Sequence, residues 1–427
     1  LDFLSKKESV DKKIISSVSE IIKDISSKGD AALIEHTEKL DNHVISDFFI
    51  SESEINACFG RVNKDVISAL EFSFKNILDY HNRCWDSLNL ESIDSEVTRI
   101  FKPIRSALLY VPGGKASYPS SVLMAAGPAI SSQVKDLFLS TPSKDGNLND
   151  LTIAAAKVAG IDRIARLGGA QAIAAFSFGT ESIPKVDKIV GPGNAYVAEA
   201  KRQLFGKVGI DLFAGPTETM VIADDTVDGE LCATDLLGQA EHGYNSPAVL
   251  ITNSKNLAES TLTEIEKILK ILPTKETASI SWKDYGEIIL CDSYEEMLEK
   301  ANEIASEHVQ VMTKKDDWFL ENMKSYGALF LGPRTNVANG DKVIGTNHTL
   351  PTKRAGRYTG GLWVGKFIKT HTYQKVLTDE AATLIGEYGS RLSHLEGFIG
   401  HAEQCNIRLR RYGGRNIEYA KAAKKIK

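Results

Sequence analysis

The chain lacks any apolar run of the roughly 18 or more residues that a membrane-spanning helix needs, so none is predicted. Its first residues, Leu1–Lys7, lack a basic segment followed by an apolar block, so we expect no signal peptide. An excess of charge is also missing, because 51 basic residues stand against 56 acidic ones and the formal net charge is −5. Nothing in this balance favours nucleic acid or an anionic membrane as a partner.

Cysteine is scarce, with only five residues in a chain of 427. No two of them have the close spacing of a zinc ribbon or a redox motif. The five are scattered and odd in number, namely Cys58, Cys84, Cys232, Cys291 and Cys405. We therefore expect free thiols in the cytoplasm rather than a disulfide framework.

The spacing of apolar residues divides the chain into four regions. Helical spacing of Val18, Ile21 and Ile25 predicts that residues 1–100 are mainly helical. Short apolar runs alternate with helical stretches over residues 101–235 and again over 236–373, which predicts two similar α/β units with mostly parallel sheets. Residues 374–427 turn helical again, and the basic end 421–427 is expected to be a frayed tail. The predicted strands are 107–111, 136–140, 161–164, 188–190 and 220–223 in the first unit, and 248–252, 287–291, 308–312 and 328–331 in the second.

A Gly-x-Gly-x-x-Gly fingerprint is missing after every predicted strand, so a standard dinucleotide fold is not indicated. Three other glycine-containing turns follow predicted strands, at Pro112–Gly114, Gly168–Gln171 and Gly191–Asn194. Such turns let a backbone approach phosphate and ribose closely. They are either ordinary tight turns or an atypical nucleotide site between strand ends.

Two short motifs carry side chains suited to chemistry. Gln239 and His242 lie three residues apart near a predicted helix end, so they share one helical face and could ligate a metal. A His at this position could instead only complement the helix dipole. Glu307 and His308 join a helix end to an apolar strand, and such a pair suits general base work near neutral pH. The alternative for this pair is a polar loop.

Two later segments are less regular. Asp341, Asn347 and His348 fall in a Gly-containing loop, and loops with several ligand-type side chains are often functional. The alternative is a solvated surface loop. Glu396 and His401 lie in the C-terminal helical part, where they could simply be surface residues near a glycine kink.

Taken together, these segments resemble histidinol dehydrogenase. Four motifs occur in the family's order between about residue 100 and residue 410, and they are Gly-Gln-Ala-Glu-His-Gly, Ser-Glu-His, Gly-Thr-Asn-His-x-Leu-Pro and Glu-Gly-x-x-x-His. The resemblance implies an α/β fold of two similar, incomplete Rossmann-like units with helical N- and C-terminal parts, assembled as an intertwined homodimer. It also implies an NAD-dependent alcohol and aldehyde dehydrogenase with zinc.

The resemblance assigns roles to individual residues. Zinc would be bound by Gln239, His242, Asp341 and His401, whose nitrogen and oxygen donors suit this metal. His308 would take the alcohol proton as hydride leaves for NAD, and Glu307 would then activate a water that attacks the aldehyde. Residues at NAD positions of the family are Tyr110, Gln171 and Asn194. Residues at substrate positions are Thr217, His348 and Glu396, and each subunit would donate its Glu396 and His401 to the neighbour's site.

The chain departs from usual histidinol enzymes after its Leu350-Pro351 motif. Lys353 and Arg354 add positive charge where the family has small residues, and Arg357 follows them as a third candidate for binding an anion. Histidinol is a cation, so these side chains would disfavour it, whereas a sulfonate would gain charge-assisted hydrogen bonds. The cations could instead face solvent or the NAD phosphates.

The variant segments around these cations resemble the sulfopropanediol 3-dehydrogenase branch of the family. The expected reaction is oxidation of 2,3-dihydroxypropane-1-sulfonate to sulfolactate with NAD. The alternatives are histidinol dehydrogenase itself and a non-catalytic metal or ligand binder descended from the enzyme. The intact Glu307–His308 pair argues against the last of these.

Overall fold

The computed structural model describes residues 12–41, 44–88, 97–113, 117–212 and 215–419. The basic tail 421–427, the segment Leu1–Lys7 and Gly114 lie outside the described residues. The chain divides into two compact units. Unit 1 comprises Leu1–Ser87 and Pro103–Ile368, and unit 2 comprises Leu88–Lys102 and Lys369–Lys427.

Four helices form the N-terminal part, as the helical spacing predicts. They are α1 (Lys12–Lys28), α2 (Asp30–Asp41), α3 (Glu52–Arg61) and α4 (Lys64–Asp86). In α1, Val18, Ile21 and Ile25 are buried and belong to the apolar core on one face of the first sheet, together with Leu108. Helix α3 begins with a capping box, in which the side chain of Ser51 accepts from the backbone N–H of Glu54 and the Glu54 side chain accepts from Ser51 N–H.

The first α/β unit is a parallel sheet with helices on both faces. Its elements follow strand β1 (Val97–Pro103) and are β2 (Ser106–Tyr110), α5 (Pro119–Ser131), β3 (Asp136–Ser140), α6 (Asp150–Val158), β4 (Ile164–Ala165), α7 (Gly169–Phe178), β5 (Lys188–Val190), α8 (Ala195–Leu204) and β6 (Gly209–Ile210). The strand order is β4-β3-β2-β5-β6. Strand β2 is buried throughout, with Leu108 and Leu109 in cores on opposite faces of the sheet.

The second α/β unit, which also lies within unit 1, repeats this topology. Its elements are β7 (Thr219–Ala223), α9 (Gly229–Ala240), β8 (Ala248–Thr252), α10 (Lys255–Ile271), α11 (Lys275–Tyr285), β9 (Gly286–Leu290), α12 (Tyr294–Ile304), β10 (His308–Met312), α13 (Asp316–Asn322) and β11 (Ala328–Leu331). The strand order is β11-β10-β7-β8-β9, again with all strands parallel. In both sheets the first strand lies at the centre and the order reverses beside it, which confirms two similar Rossmann-like units.

One boundary differs from the sequence analysis. The run 220–223 was assigned to the first α/β unit, residues 101–235, but β7 pairs with β8 and β10 and is the central strand of the second sheet. The division between the two sheets therefore falls between Ile210 and Thr219 rather than at residue 235. Strand pairing decides this boundary, and pairing is not encoded in the local alternation of helix and strand.

Irregular structure follows the second α/β unit, and the chain then enters unit 2, the second of the two compact units. A short helix α14 (Val337–Asn339) continues into a π-helix at Gly340–Ile344. Unit 2 contains the helices α15 (Asp379–Leu395) and α16 (Ile399–Tyr412) and, from Lys369 onward, strand β12 (Ile368–Gln374), which pairs with β1. Inside the pair α15–α16, the buried Ser390 hydroxyl donates to Oδ1 of Asn406 at 2.7 Å. Among the described residues, no helix combines the length and the apolar character that crossing a bilayer requires.

Candidate active site

The predicted catalytic and metal-binding residues of the second α/β unit lie at the edge of its sheet where the strands begin. His308 opens β10 and is paired in register with Thr219, which opens β7. Helix α9 follows β7 and returns towards the start of β8, so Gln239 near its C-terminus comes back to the same edge. The amino ends of parallel strands meet at one edge, and the topology therefore explains why residues distant in sequence share it.

His308 is almost fully buried and its two ring nitrogens have different surroundings. Nδ1 lies 3.2 Å from the backbone oxygen of Glu218, which can only accept a hydrogen bond, so Nδ1 carries a proton. Nε2 is buried without a hydrogen-bond partner among the described residues and lies 3.5 Å from Oδ1 of Asp341. Burial alone would lower the pKa of His308, but the nearby carboxylates of Glu307 and Asp341 raise it. These carboxylates make Nε2 a stronger base.

Glu307 is buried beside His308, with Oε2 at 3.5 Å from Nδ1 of the imidazole. Oε2 also accepts the backbone N–H of Glu218 at 3.1 Å. Burial raises the pKa of Glu307, and the His308 imidazole and the Glu218 N–H offset only part of this effect. A carboxyl group with a raised pKa is suited to taking up and releasing a proton near neutrality.

Asp341 lies in the π-helix, whose wide turn is a frequent feature of functional sites. Burial would raise the pKa of its carboxyl, but the interaction with His308 holds it below the ordinary value. The backbone oxygen of Asp341 lies 3.0 Å from Nδ1 of His348, and Nε2 of His348 lies 3.4 Å from the Ser121 hydroxyl. Burial lowers the pKa of His348 to about 4, so this imidazole is neutral at physiological pH. The structure thus brings Glu307, His308, Asp341 and His348 together.

Gln239 and His242 present lone pairs suited to a metal. Oε1 of Gln239 is buried without a hydrogen-bond partner in the described part of the chain. Nδ1 of His242 lies 3.1 Å from the backbone oxygen of Gln239, so Nδ1 carries the proton and Nε2 is the acceptor nitrogen. Over the described ranges, no three His, Cys, Asp or Glu side chains are close enough to hold a metal ion. The convergence of Gln239, His242 and Asp341 stays a prediction.

The glycine turns of the first unit line a cavity of about 450 Å³. The predicted NAD residues Tyr110, Gln171 and Asn194 all border it. It lies where β2 and β5 end, which is the point where the strand order reverses and where open α/β sheets bind ligands. The Tyr110 hydroxyl accepts the N–H of Gly169 at 3.0 Å, and burial raises the pKa of this phenol to about 12. The carbonyl oxygen of Gln171 is buried without a hydrogen-bond partner among the described residues.

A buried ion pair shapes the turn that carries Asn194. Oδ2 of Asp211 accepts the N–H of Gly191 at 2.7 Å, and Nζ of Lys201 donates to the oxygen of Gly191 at 3.0 Å. Lys201 and Asp211 also bond to each other. Gly191 has a φ of 119°, and a Cβ there would lie 2.0 Å from the backbone oxygen of Tyr110, so only glycine fits.

The three predicted anion-binding residues lie in one loop of unit 1. Lys353 and Arg357 are exposed, whereas Arg354 is partly buried with Nε lacking a hydrogen-bond partner among the described residues. Lys353 and Arg354 have φ values of 53° and 63°, in the left-handed region that non-glycine residues rarely adopt. Thr217, a predicted substrate residue, is partly buried just before β7. The backbone N–H of Lys353 donates to Oε1 of the adjacent Glu218 at 2.7 Å.

Glu396 and His401 belong to unit 2 and are exposed there. Glu396 is the residue after α15, and His401 is in the first turn of α16, with its ring 5.3 Å from that of Phe398. Their donation to a neighbouring subunit stays a prediction.

Several contributors to the site were missed in the sequence analysis. Glu218 contacts Glu307, His308 and Lys353, although Pro-Thr-Glu is an unremarkable segment on its own. The buried His81 of α4 lies 3.4 Å from the Asn347 amide, which in turn donates to the oxygen of Met124 at 2.6 Å. Helices α1 and α2 also supply part of the wall of the cavity, including His36 and Asp41. The regular helical spacing of α1, α2 and α4 does not reveal which of their residues make these contacts.

Comparison with known proteins identifies the family of this chain. A family model described as histidinol dehydrogenase matches residues 4–409. The chain belongs to the histidinol dehydrogenase family. It is accordingly a dehydrogenase, and the resemblance inferred from four short motifs is confirmed.

Individual members of the histidinol dehydrogenase family show how close the similarity is. A Mesorhizobium japonicum protein named histidinol dehydrogenase homolog 1 is 54% identical over 410 residues, which cover 95% of this chain and 82% of that protein. Histidinol dehydrogenase of Agrobacterium fabrum is 41% identical, with 95% of both chains covered. The crystal structure of histidinol dehydrogenase from Elizabethkingia anophelis superposes with a TM-score of 0.89 at 36% identity, covering 95% of this chain and 93% of that one.

Proposed function

We propose that this member of the family is a zinc-dependent, NAD-linked dehydrogenase that oxidises 2,3-dihydroxypropane-1-sulfonate through the aldehyde to sulfolactate. The observation that carries the proposal is the connection between the cationic loop and the catalytic pair. Lys353 is hydrogen-bonded through its backbone to Glu218, and Glu218 is hydrogen-bonded to both Glu307 and His308. Positive charge on this loop favours a substrate with a fixed negative charge.

The relatives support a substrate other than histidinol. Identity is higher to the Mesorhizobium japonicum protein, named a homolog, than to the Agrobacterium fabrum protein named histidinol dehydrogenase, at 54% against 41%. L-Histidinol, which would give L-histidine, is a cation and would meet Lys353 and Arg354 unfavourably. Histidinol dehydrogenase therefore stands as the second candidate, supported by the family's name and not by the loop.

The residues present fit zinc. Gln239 offers a buried oxygen with no hydrogen-bond partner among the described residues, His242 offers Nε2, and Asp341 offers a carboxylate kept ionised by His308. With His401 from the neighbouring subunit, these residues would hold the ion. When bound, zinc would supply a positive centre that holds and orients the alcohol, and NAD in the cavity at Tyr110, Gln171 and Asn194 would accept hydride.

The chain's own side chains would move the protons. In the first oxidation, His308 takes the hydroxyl proton at Nε2, because Nδ1 is already bonded to Glu218. In the second, Glu307 takes a proton from the water that adds to the aldehyde carbon. Oε2 of Glu307 is occupied by the Glu218 N–H, so we assign this role to Oε1. Each oxidation transfers one hydride, and two molecules of NAD are reduced per alcohol.

The proposal includes a homodimer that acts in the cytoplasm. Glu396 and His401 lie on the exposed surface of unit 2, from which we propose that they reach a neighbour's site. All five cysteines lie in the described part of the chain and are free thiols, which suits a reducing compartment.

The experiment that tests the function is a substrate panel. Purified protein with zinc and NAD is given the sulfonate diol, histidinol, or the neutral analogue glycerol, and NADH is followed by absorbance. We expect two NADH per molecule of sulfonate diol and little turnover of the other alcohols. Preference for histidinol would transfer the assignment to the second candidate, and a failure of every alcohol would refute both.

A further inference from the structure

We propose that Glu218 is a positioning residue whose side chain holds the cationic loop Thr352–Arg357 against the catalytic pair and thereby determines the affinity for substrate. The substrate charge in this inference rests on the proposed function. The attachment of the loop does not, because it rests on contacts within the chain.

The peptide of Glu218 holds both catalytic side chains. Its N–H donates to Oε2 of Glu307 at 3.1 Å, and its oxygen accepts from Nδ1 of His308 at 3.2 Å. The same oxygen also accepts the backbone N–H of His308 at 3.1 Å. Glu218 is therefore fixed to the start of β10 through its backbone alone, and replacing its side chain leaves these three hydrogen bonds available.

The side chain of Glu218 makes a separate connection. Oε1 accepts the backbone N–H of Lys353 at 2.7 Å, across 135 residues of sequence. Next to this contact, the Thr352 hydroxyl oxygen accepts the N–H of Gly215 at 2.6 Å. The segment before β7 thus holds the loop at two consecutive residues, and a Cβ at Gly215 would lie 2.5 Å from Cε of Lys353.

The loop needs such support because its backbone conformation is unfavourable. Lys353 and Arg354 are consecutive left-handed residues, with φ values of 53° and 63°. Such a conformation is unfavourable for a non-glycine residue and persists only when its surroundings fix it. The hydrogen bond to Glu218 fixes the first of the two, so loss of the carboxylate should release the loop into other conformations.

An ordered loop would present its cations at a defined place. Nε of Arg354 is buried and has no hydrogen-bond partner among the described residues, so this N–H can still bond an anionic acceptor. A loop that is ordered before binding does not lose conformational entropy on binding. Glu218 should therefore act on the Michaelis constant for an anionic alcohol and much less on kcat.

The test compares Glu218→Ala with Glu218→Gln, because the amide retains an oxygen acceptor for the Lys353 N–H. For the sulfonate diol we expect KM to rise about tenfold in Glu218→Ala, which corresponds to roughly 1.4 kcal/mol, with kcat changed less than about threefold. Glu218→Gln should stay within about threefold of the parent in both constants. The exposed Glu266→Ala on α10 is the control.

Hydrogen–deuterium exchange of peptides covering residues 352–358 supplies a readout without substrate. We expect faster exchange in Glu218→Ala than in the parent and in Glu218→Gln. If Glu218→Ala fails to fold, Thr352→Val removes the neighbouring contact and should give the same faster exchange and higher KM. A large loss of kcat at unchanged KM, or unchanged exchange in the folded variants, would overturn the inference.

The two proposals can fail separately. If the parent enzyme ignores the sulfonate diol, the proposed substrate is wrong, and the KM comparison moves to the alcohol that it does oxidise. Exchange over residues 352–358 then still decides whether Glu218 holds the loop.

Discussion

Nδ1 of His308 lies 3.2 Å from the backbone oxygen of Glu218, and this contact leaves Nε2 as the ring nitrogen that can accept a proton. The strand pairing His308↔Thr219 places His308 beside the residue that follows Glu218, next to the central strand of the second sheet. The imidazole therefore cannot turn without losing a hydrogen bond inside a buried site, and its orientation is fixed before substrate arrives.

Replacing His308 with Asn should impair the first oxidation selectively. We expect turnover of the alcohol to fall by about 10²- to 10⁴-fold, which is the range for loss of a general base. Oxidation of the aldehyde intermediate, supplied directly, should be affected much less. Rates of NADH formation from the two compounds check this, and equal losses for both would contradict the assignment.

Replacing Glu307 with Gln should stop the reaction after one oxidation. The amide cannot take a proton from water, whereas His308 can still take the alcohol proton. We expect one NADH per alcohol instead of two, with aldehyde recovered by a trapping reagent such as a hydrazine. A variant that still forms acid at the parent's rate would remove Glu307 from this role.

Replacing Tyr110 with Phe should weaken NAD binding. The change removes the acceptor of the partly buried Gly169 N–H, so the turn that borders the cavity proposed for NAD loses a hydrogen bond that holds it in place. We expect the dissociation constant for NAD to rise at least about fivefold, measured by titration calorimetry. Tyr419→Phe, at an exposed tyrosine, is the matched control and should bind NAD like the parent.

Replacing Gln239 with Leu should reduce the zinc content. Leu fills a similar volume but offers no lone pair in place of the buried Oε1. We expect less than one tenth of the parent's zinc after dialysis, with an unchanged circular dichroism spectrum. The control is Glu230→Gln on the same helix, and metal analysis that gives the parent's zinc content for Gln239→Leu would exclude it as a ligand.

Shared sites predict complementation between two variants that each lack the complete double oxidation. If His401 serves the neighbour's site, a mixed dimer of His401→Ala and Glu307→Gln chains has one site with both changes and one intact site. Co-expression in equal amounts should restore roughly a quarter of the parent's double-oxidation activity, because half the dimers are mixed and each has one intact site. If each chain uses its own His401, no such activity returns.

Much of the fold could be predicted because its signals are local. The run Ala107–Val111 is buried on both faces of a sheet, and short apolar runs of this kind identified most strands. The strand β7 was predicted, but its membership of the second sheet could not be. That depends on pairing with β8 and β10, which local sequence patterns do not reveal.

Residues of the candidate site could be predicted where they occur in short sequence motifs. Glu307 and His308 are adjacent, and Asp341 and His348 fall in one loop, so each pair could be found by inspection. The contact between Glu218 and Lys353 joins distant segments and depends on a left-handed residue that is not glycine, which sequence patterns do not reveal. Short motifs identified side chains that the structure brings together, but not the residues that hold them in place.

The wide turn at Gly340–Ile344 makes the direction of the Asp341 side chain sensitive to insertions and deletions in this segment. A π-helical turn accommodates one residue more than an α-helical turn, and each residue of an α-helix advances by about 100° around the axis. Deleting a single residue on the C-terminal side of Asp341 would let the segment tighten and swing the carboxylate away from His308. Insertions and deletions here should therefore be far more damaging than substitutions at neighbouring exposed positions such as Lys342.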